Sequence, residues 1–133
     1  MVSGGVERTE KITINLGVVD LGEIDLLVQE GFYANRTDFI RAAVRAQLTT
    51  RATVVSESAA RRTLVLGAQH FSRQDLEEIR AAGGMIHIRT LGLATIADDV
   101  SPELASATIS SVEVLGAFRA PADVKAALAS RTA

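Results

Sequence analysis

Three hydrogen-bonding side chains stand at alternate positions early in the chain: Lys11, Thr13 and Asn15, interleaved with Ile12, Ile14 and Leu16. In an extended backbone alternate residues share a face. The stretch EKITINL, residues 10–16, therefore presents one row of polar groups and one row of apolar groups. Such a polar row is either a solvated strand face or one suited to the recognition of base edges. Lys donates to guanine O6 and N7, Asn pairs with adenine N6 and N7, and Thr offers a hydroxyl and a methyl for thymine. Strict period two with β-branched residues predicts a half-buried strand here.

Other groups of reactive residue types read as structural. His70, Ser72 and Asp75 lie close together, but Ser72 and Asp75 have the spacing of a helix cap with an acidic first turn. Asp98, Asp99 and Glu103 read as a helix start and a solvated face. The chain has no nucleophile elbow, phosphate-binding loop or dinucleotide fingerprint, so no enzyme and no cofactor is expected. Cysteine is absent and His70 and His87 are the two histidines, which excludes disulfides and thiolate ligands and predicts no metal site. His87 lies between Ile86 and Ile88 in strand-like text, so its ring is expected on the face opposite to theirs.

The elements that must position the polar row follow directly. Leu21, Ile24, Leu27 and Val28 recur at helical spacing and predict a helix over about 21–30, with Gly17 to Asp20 breaking the period before it. Gly31 suits the left-handed position after a helix. Asn35 is placed as an N-cap with Asp38 three residues on, so a second helix is predicted from Arg36 to about Thr50. Its buried side carries Phe39, Ile40, Ala43, Val44, Gln47 and Leu48, with Arg41, Arg45 and Arg51 off it. The order is strand, helix, helix, and one strand cannot satisfy its own backbone groups. Two copies can pair their strands antiparallel and cover the apolar side with four helices, as an obligate symmetric dimer. Lys11, Thr13 and Asn15 of both copies then lie on an exposed ribbon, which the major groove admits.

These residues resemble the ribbon-helix-helix (CopG/Arc/MetJ-like) family of bacterial repressors over roughly residues 8–50. The points of likeness are the alternating strand, the Gly31-Phe32-Tyr33 turn, and Asn35-Arg36-Thr37-Asp38-Phe39-Ile40-Arg41. The resemblance implies sequence-specific binding of double-stranded DNA by a homodimer. By position, it implies base reading by Lys11, Thr13 and Asn15, and a phosphate clamp at Asn35, Arg36 and Thr37, where helix N–H groups face the backbone. Arg8, just before the strand, is placed to reach a neighbouring phosphate. Ile12, Ile14, Leu16, Phe39 and Ile40 are assigned to the dimer core.

Charge limits how such binding works. The chain carries a net −2, and residues 1–51 hold six basic against seven acidic groups, a net −1. Binding must come from a local basic face. Glu7, Glu10 and Asp38 beside it oppose phosphate, so dimers on adjacent sites would gain by avidity.

At 133 residues, 47% of them apolar, the chain can bury a core in one ordinary domain or two small ones. No apolar run approaches the ~20 residues of a membrane helix. Met1 to Arg8 is short, polar and Gly-containing, unlike a signal peptide. A cytoplasmic protein without a membrane role is expected.

After a polar stretch, residues 51–62, expected as a linker or loose helix end, the second half repeats. Leu-Gly pairs start at 66, 91 and 115, a period near 25. Strand-like text precedes each (RTLV, MIHIRT, ISSVEV) and helix-like text follows, from Ser72, Asp98 and Ala120. Apolar pairs keep step: Leu76 and Ile79, Val100 and Leu104, Val124 and Leu128. One strand-helix unit cannot bury its own face, whereas stacked units can. The fold class expected is α+β: a ribbon-helix-helix domain over 1–50 and a three-repeat, solenoid-like βα domain over 63–133, its parallel sheet covered by helices on one side. Phe71 and Phe118 are expected in its core. The unpaired strand edges of such a domain invite association, so it is assigned to oligomerisation, to a tetramer or higher, or to binding a protein partner.

The reading is a DNA-binding transcriptional regulator acting as a repressor. Two alternatives differ in class. An antitoxin would mask a toxin with its second half, although residues 61–129 read as folded where antitoxin tails are disordered. A structural assembly protein would use the ribbon only to multimerise.

Overall fold

The computed structural model describes residues 9–133, which form two compact units divided between Ser58 and Ala59.

In the first unit, α1 spans Val18–Gln29 and α2 spans Arg36–Thr50. Helix α1 begins three residues before its expected start: Gly17 is its extended N-cap residue, and Val18, Val19 and Asp20 join the first turn. Its end is fixed as the sequence predicts. Gly31 adopts φ +88, the Phe32 amide donates to Leu27 (3.0 Å), and the Gly31 amide donates to Val28 (3.1 Å). These paired bonds satisfy carbonyls that a helix end would otherwise leave open. Tyr33 meets Phe39 edge to face, with ring centroids 5.0 Å apart, closing the turn into α2. Residues 10–17 belong to no strand within the chain. The ladder that a strand requires is not formed with any other described residue.

The polar stretch 51–62 is not a simple linker: Ala52–Arg61 forms helix α3. Its alanines, Glu57 and Arg61 favour a helix, and it contains no Gly or Pro to break one.

The second unit is built from three strand-helix repeats. They are β1 (Val65–Phe71), α4 (Arg73–Ala81), β2 (Ile86–Ile96), α5 (Pro102–Thr108), β3 (Ile109–Arg119) and α6 (Ala122–Leu128), with a 3-10 turn over Ala129–Arg131. The sheet is parallel in the order β1-β2-β3. The three Leu-Gly pairs stand in register, Leu66 with Leu91 with Leu115 and Gly67 with Gly92 with Gly116. The repeat read from the sequence is thus a physical repeat. The strands run on through the Leu-Gly pairs instead of ending there. Each glycine bends its strand at a left-handed φ of 121 to 139, which side-chain-bearing residues rarely adopt.

Burial alternates along β2: Ile88, Thr90, Ala94 and Ile96 face the helices and are fully buried. Leu76, Val100, Leu104, Val124 and Leu128 complete that core, and Phe71, Ile79 and Phe118 pack against it. The two buried threonines are satisfied, Thr108 by the Leu104 carbonyl (2.8 Å) and Thr90 by Gln69 (2.5 Å). The helices start where local chemistry dictates. Ser72 and Asp75 form a reciprocal capping box on α4, and Ser101 caps α5 with Pro102 in its first turn. That cap sets the start of α5 four residues after Asp98. On the outer face His87 is exposed, opposite to buried Ile88, with Nδ1 2.7 Å from Ser111 Oγ and 3.0 Å from Ser110 Oγ.

No helix among the described residues is long and apolar enough to cross a membrane.

Candidate nucleic-acid interface

Residues 10–16 are exposed on both faces. Lys11, Thr13 and Asn15 make no hydrogen bond among the described residues and are open to a ligand. The apolar row is just as open: Ile12 is 78% exposed, Ile14 54% and Leu16 41%. Ile14 and Leu16 line a mostly apolar groove of about 370 Å³ whose other walls are Ile24 and Leu27 of α1 and Phe39, Ile40, Ala43 and Val44 of α2, with Asp20 and Glu23 of α1 also on its lining. Four of the five residues assigned to the dimer core (Ile14, Leu16, Phe39, Ile40) therefore meet around one groove, and Ile12 lies beside it in sequence. The side of α2 expected to be buried is bare in the single chain, with Val44 53% and Leu48 52% exposed. Helix α1 is apolar on further sides as well, where Val18, Val19 and Leu26 face solvent. Asp20, Glu23 and Asp25 share the helix with these apolar residues. Ile24 is the one buried apolar residue of this unit among those described.

At the start of α2, Asn35 acts as N-cap: its Oδ1 accepts from the Asp38 amide at 2.8 Å. Asp38 in turn accepts from the Ala34 amide at 3.1 Å. The amides of Arg36 and Thr37 open the helix, where no preceding turn supplies an acceptor. A shallow recess is lined there by Ala34, Asn35, Thr37, Asp38 and Arg41. Arg41, one turn beyond Thr37, is a cation at this site that the linear reading set aside as merely outward-facing; its i+4 spacing from Thr37 is the signal that places it there.

Arg36 has a partner that sequence reasoning missed. Its Nε and Nη2 donate to Asp25 Oδ1 and Oδ2 at 2.8 and 2.9 Å, a bidentate pair between α2 and α1. The hydrogen bonds from Arg36, and secondarily its charge, hold the Asp25 carboxyl below the usual carboxylate range and raise the guanidinium in return. No local spacing announces a pair eleven residues apart. Arg8, the remaining expected phosphate contact, lies outside the described residues.

The other reactive clusters are committed to structure. Ser72 Oγ accepts from the Asp75 amide at 3.0 Å and Asp75 accepts from the Ser72 amide at 3.1 Å. The same backbone bond, with the Ser72 hydroxyl, lowers the Asp75 carboxyl below its ordinary range. Asp99 lies 3.8 Å from Arg73, which also pairs with Glu77 at 3.7 Å.

The first unit thus presents an alternating polar row on an extended segment, followed by two helices that share an open apolar groove. The chain belongs to the ribbon-helix-helix transcriptional regulator family, whose model matches residues 7–125. That match runs through the strand-helix repeats as well as the N-terminal unit. Comparison with curated proteins and with solved structures gave no match.

Proposed function

We propose that the protein is a sequence-specific DNA-binding repressor that acts as an obligate homodimer. Residues 10–16 of two copies pair antiparallel, Ile12, Ile14 and Leu16 enter a shared core with Phe39 and Ile40, and Lys11, Thr13 and Asn15 read base edges in the major groove. Asn35, Arg36 and Thr37, with Arg8, hold flanking phosphates and set the register. Dimers bound side by side occlude a promoter.

The observation that carries this reading is the open groove. A unit of fifty residues with one buried apolar side chain cannot offset the chain entropy lost on folding. Its apolar surface is continuous and lies on the three elements that a second copy would cover. Ion-paired Arg36 and the acidic groups nearby keep affinity for unspecific DNA low and leave discrimination to the ribbon. The strand-helix repeats, a short solenoid-like stack, serve assembly. Their packed core speaks against an antitoxin with a disordered masking tail.

The test is the double variant K11A/N15A. It should stay a folded dimer and lose specific operator binding by about 100-fold or more, as expected for two base contacts in each copy worth ~1–3 kcal/mol each. Unchanged operator affinity would sink the ribbon reading. Binding by the unaltered protein should weaken steeply as salt rises; no affinity for any duplex at low salt would favour a purely structural role.

A further inference from the structure

The two outer edges of the C-terminal sheet, beside which no further strand lies among the described residues, are complementary to each other. Gly67, Gly92 and Gly116 stand in register with φ of 121, 139 and 122. A Cβ on Gly92 would overlap the carbonyl oxygen of Gly67, and one on Gly116 would overlap that of Gly92. Each bare Cα thus receives the carbonyl of the strand before it. Gly67 has the same conformation, yet the place its Cβ would occupy holds nothing within 4 Å. At the opposite edge the same repeat directs the Gly116 carbonyl outward. One edge offers the receiving glycine and the other offers the carbonyl.

The outlines of the edges agree as well. Strand β1 starts at Val65, level with Thr90 and Val114. The edge of β3 is occupied just before that level, where Thr132 bridges Val112 and the Ala133 amide donates to the Val112 carbonyl at 2.9 Å. Beyond it, no strand lies beside β3 or outside β1 among the described residues. Strand β1 reads VLGAQHF, with no lysine, proline or acidic residue of the kind that blunts sheet edges, and its Leu66 is 77% exposed.

We propose that the C-terminal units of successive copies stack head to tail, β1 of one copy adding in parallel to β3 of the next. Gly67 then takes the Gly116 carbonyl of its neighbour, and Leu66 continues the Leu66–Leu91–Leu115 ladder. The occupant of each edge is a second copy of this chain. The contact is heterologous, so each copy leaves an edge for the next and the assembly extends beyond two chains. It stands apart from DNA readout and is tested without DNA.

The chain has no cysteine, which makes cross-linking clean. In the proposed stack Leu66 of one copy lies one strand spacing, about 4.8 Å, from Leu115 of the next, within disulfide reach. Within one chain the two are separated by β2, roughly 9.6 Å and out of reach. Oxidised L66C/L115C should give a ladder of covalent species larger than two chains on a denaturing, non-reducing gel, and neither single variant should. Absence of the ladder, or a covalent dimer from L66C or L115C alone, would overturn the head-to-tail arrangement. Sedimentation of the unaltered protein gives an independent measure: mass should rise above that of two chains with concentration, and a fixed mass of one or two chains at every concentration would also overturn it.

Discussion

The two units of this chain solve the burial problem in opposite ways. Residues 59–133 bury Leu76, Ile88, Ile96, Val124 and Leu128 completely within one copy. Residues 9–58 bury Ile24 alone and leave Ile12, Ile14, Val44 and Leu48 in solvent. The apolar residue types are similar; what differs is where their partners lie. A parallel stack supplies its own next layer, since each repeat packs on the one before. A single extended segment with two helices has no next layer, and its order depends on a surface supplied from outside. If a second copy covers the apolar groove, as proposed, stability of the first unit is tied to concentration, whereas that of the second resides largely in the chain itself.

That contrast can be broken at three levels. The largest effect is expected at Gly92. G92V places a branched side chain against the Gly67 carbonyl at a φ of 139, combining backbone strain with overpacking, each worth about 1–3 kcal/mol. Thermal unfolding should show the second unit lost or lowered by about 3 kcal/mol or more. A melting curve like the unaltered protein's would show that the stack is not held by this register.

Next comes I14K. Ile14 is 54% exposed in one chain, so a charge there costs little if the first unit stands alone. If a second copy covers it, the lysine must be buried, and sedimentation should show the dimer constant weakened by 100-fold or more. Persistence of the dimer would remove the groove from the interface.

The smallest effect belongs to D25N. Asp25 and Arg36 are both well exposed, so the pair adds little stability in solvent. Because the folded carboxyl lies below its unfolded value, its contribution is complete above the ordinary carboxylate range and is lost as pH falls through the depressed one. D25N should therefore differ slightly from the unaltered chain near neutral pH and match it in strong acid. A difference that grows on acidification would contradict this assignment.

What the linear sequence made legible is local in origin. Helix α2 runs over the predicted residues because its cap, Asn35 with Asp38, lies within one turn of its start. The end of α1 is set by Gly31 for the same reason. The repeat was readable because a ladder of identical positions leaves an identical spacing in the chain. The failures are non-local or ambiguous. Glycine ordinarily punctuates, so strands passing through Leu66-Gly67 and its repeats look as though they should stop there. The partner of Arg36 is brought near by the packing of α1 on α2, which no spacing encodes. The 51–62 stretch reads as polar filler, although its small residues propagate a helix.

The pairing of Arg36 with Asp25 reaches beyond stability. Under the phosphate role proposed for Arg36, the carboxylate takes the place of a phosphate, as a resident surrogate for the ligand. A phosphate that takes the Nε–Nη2 edge of Arg36 would have to displace that surrogate, an exchange of one anion for another, whereas the Nη1 donors lie outside the pair. Such an exchange liberates fewer counterions than capture by a free guanidinium, and it would make this contact less sensitive to salt than its charge alone suggests.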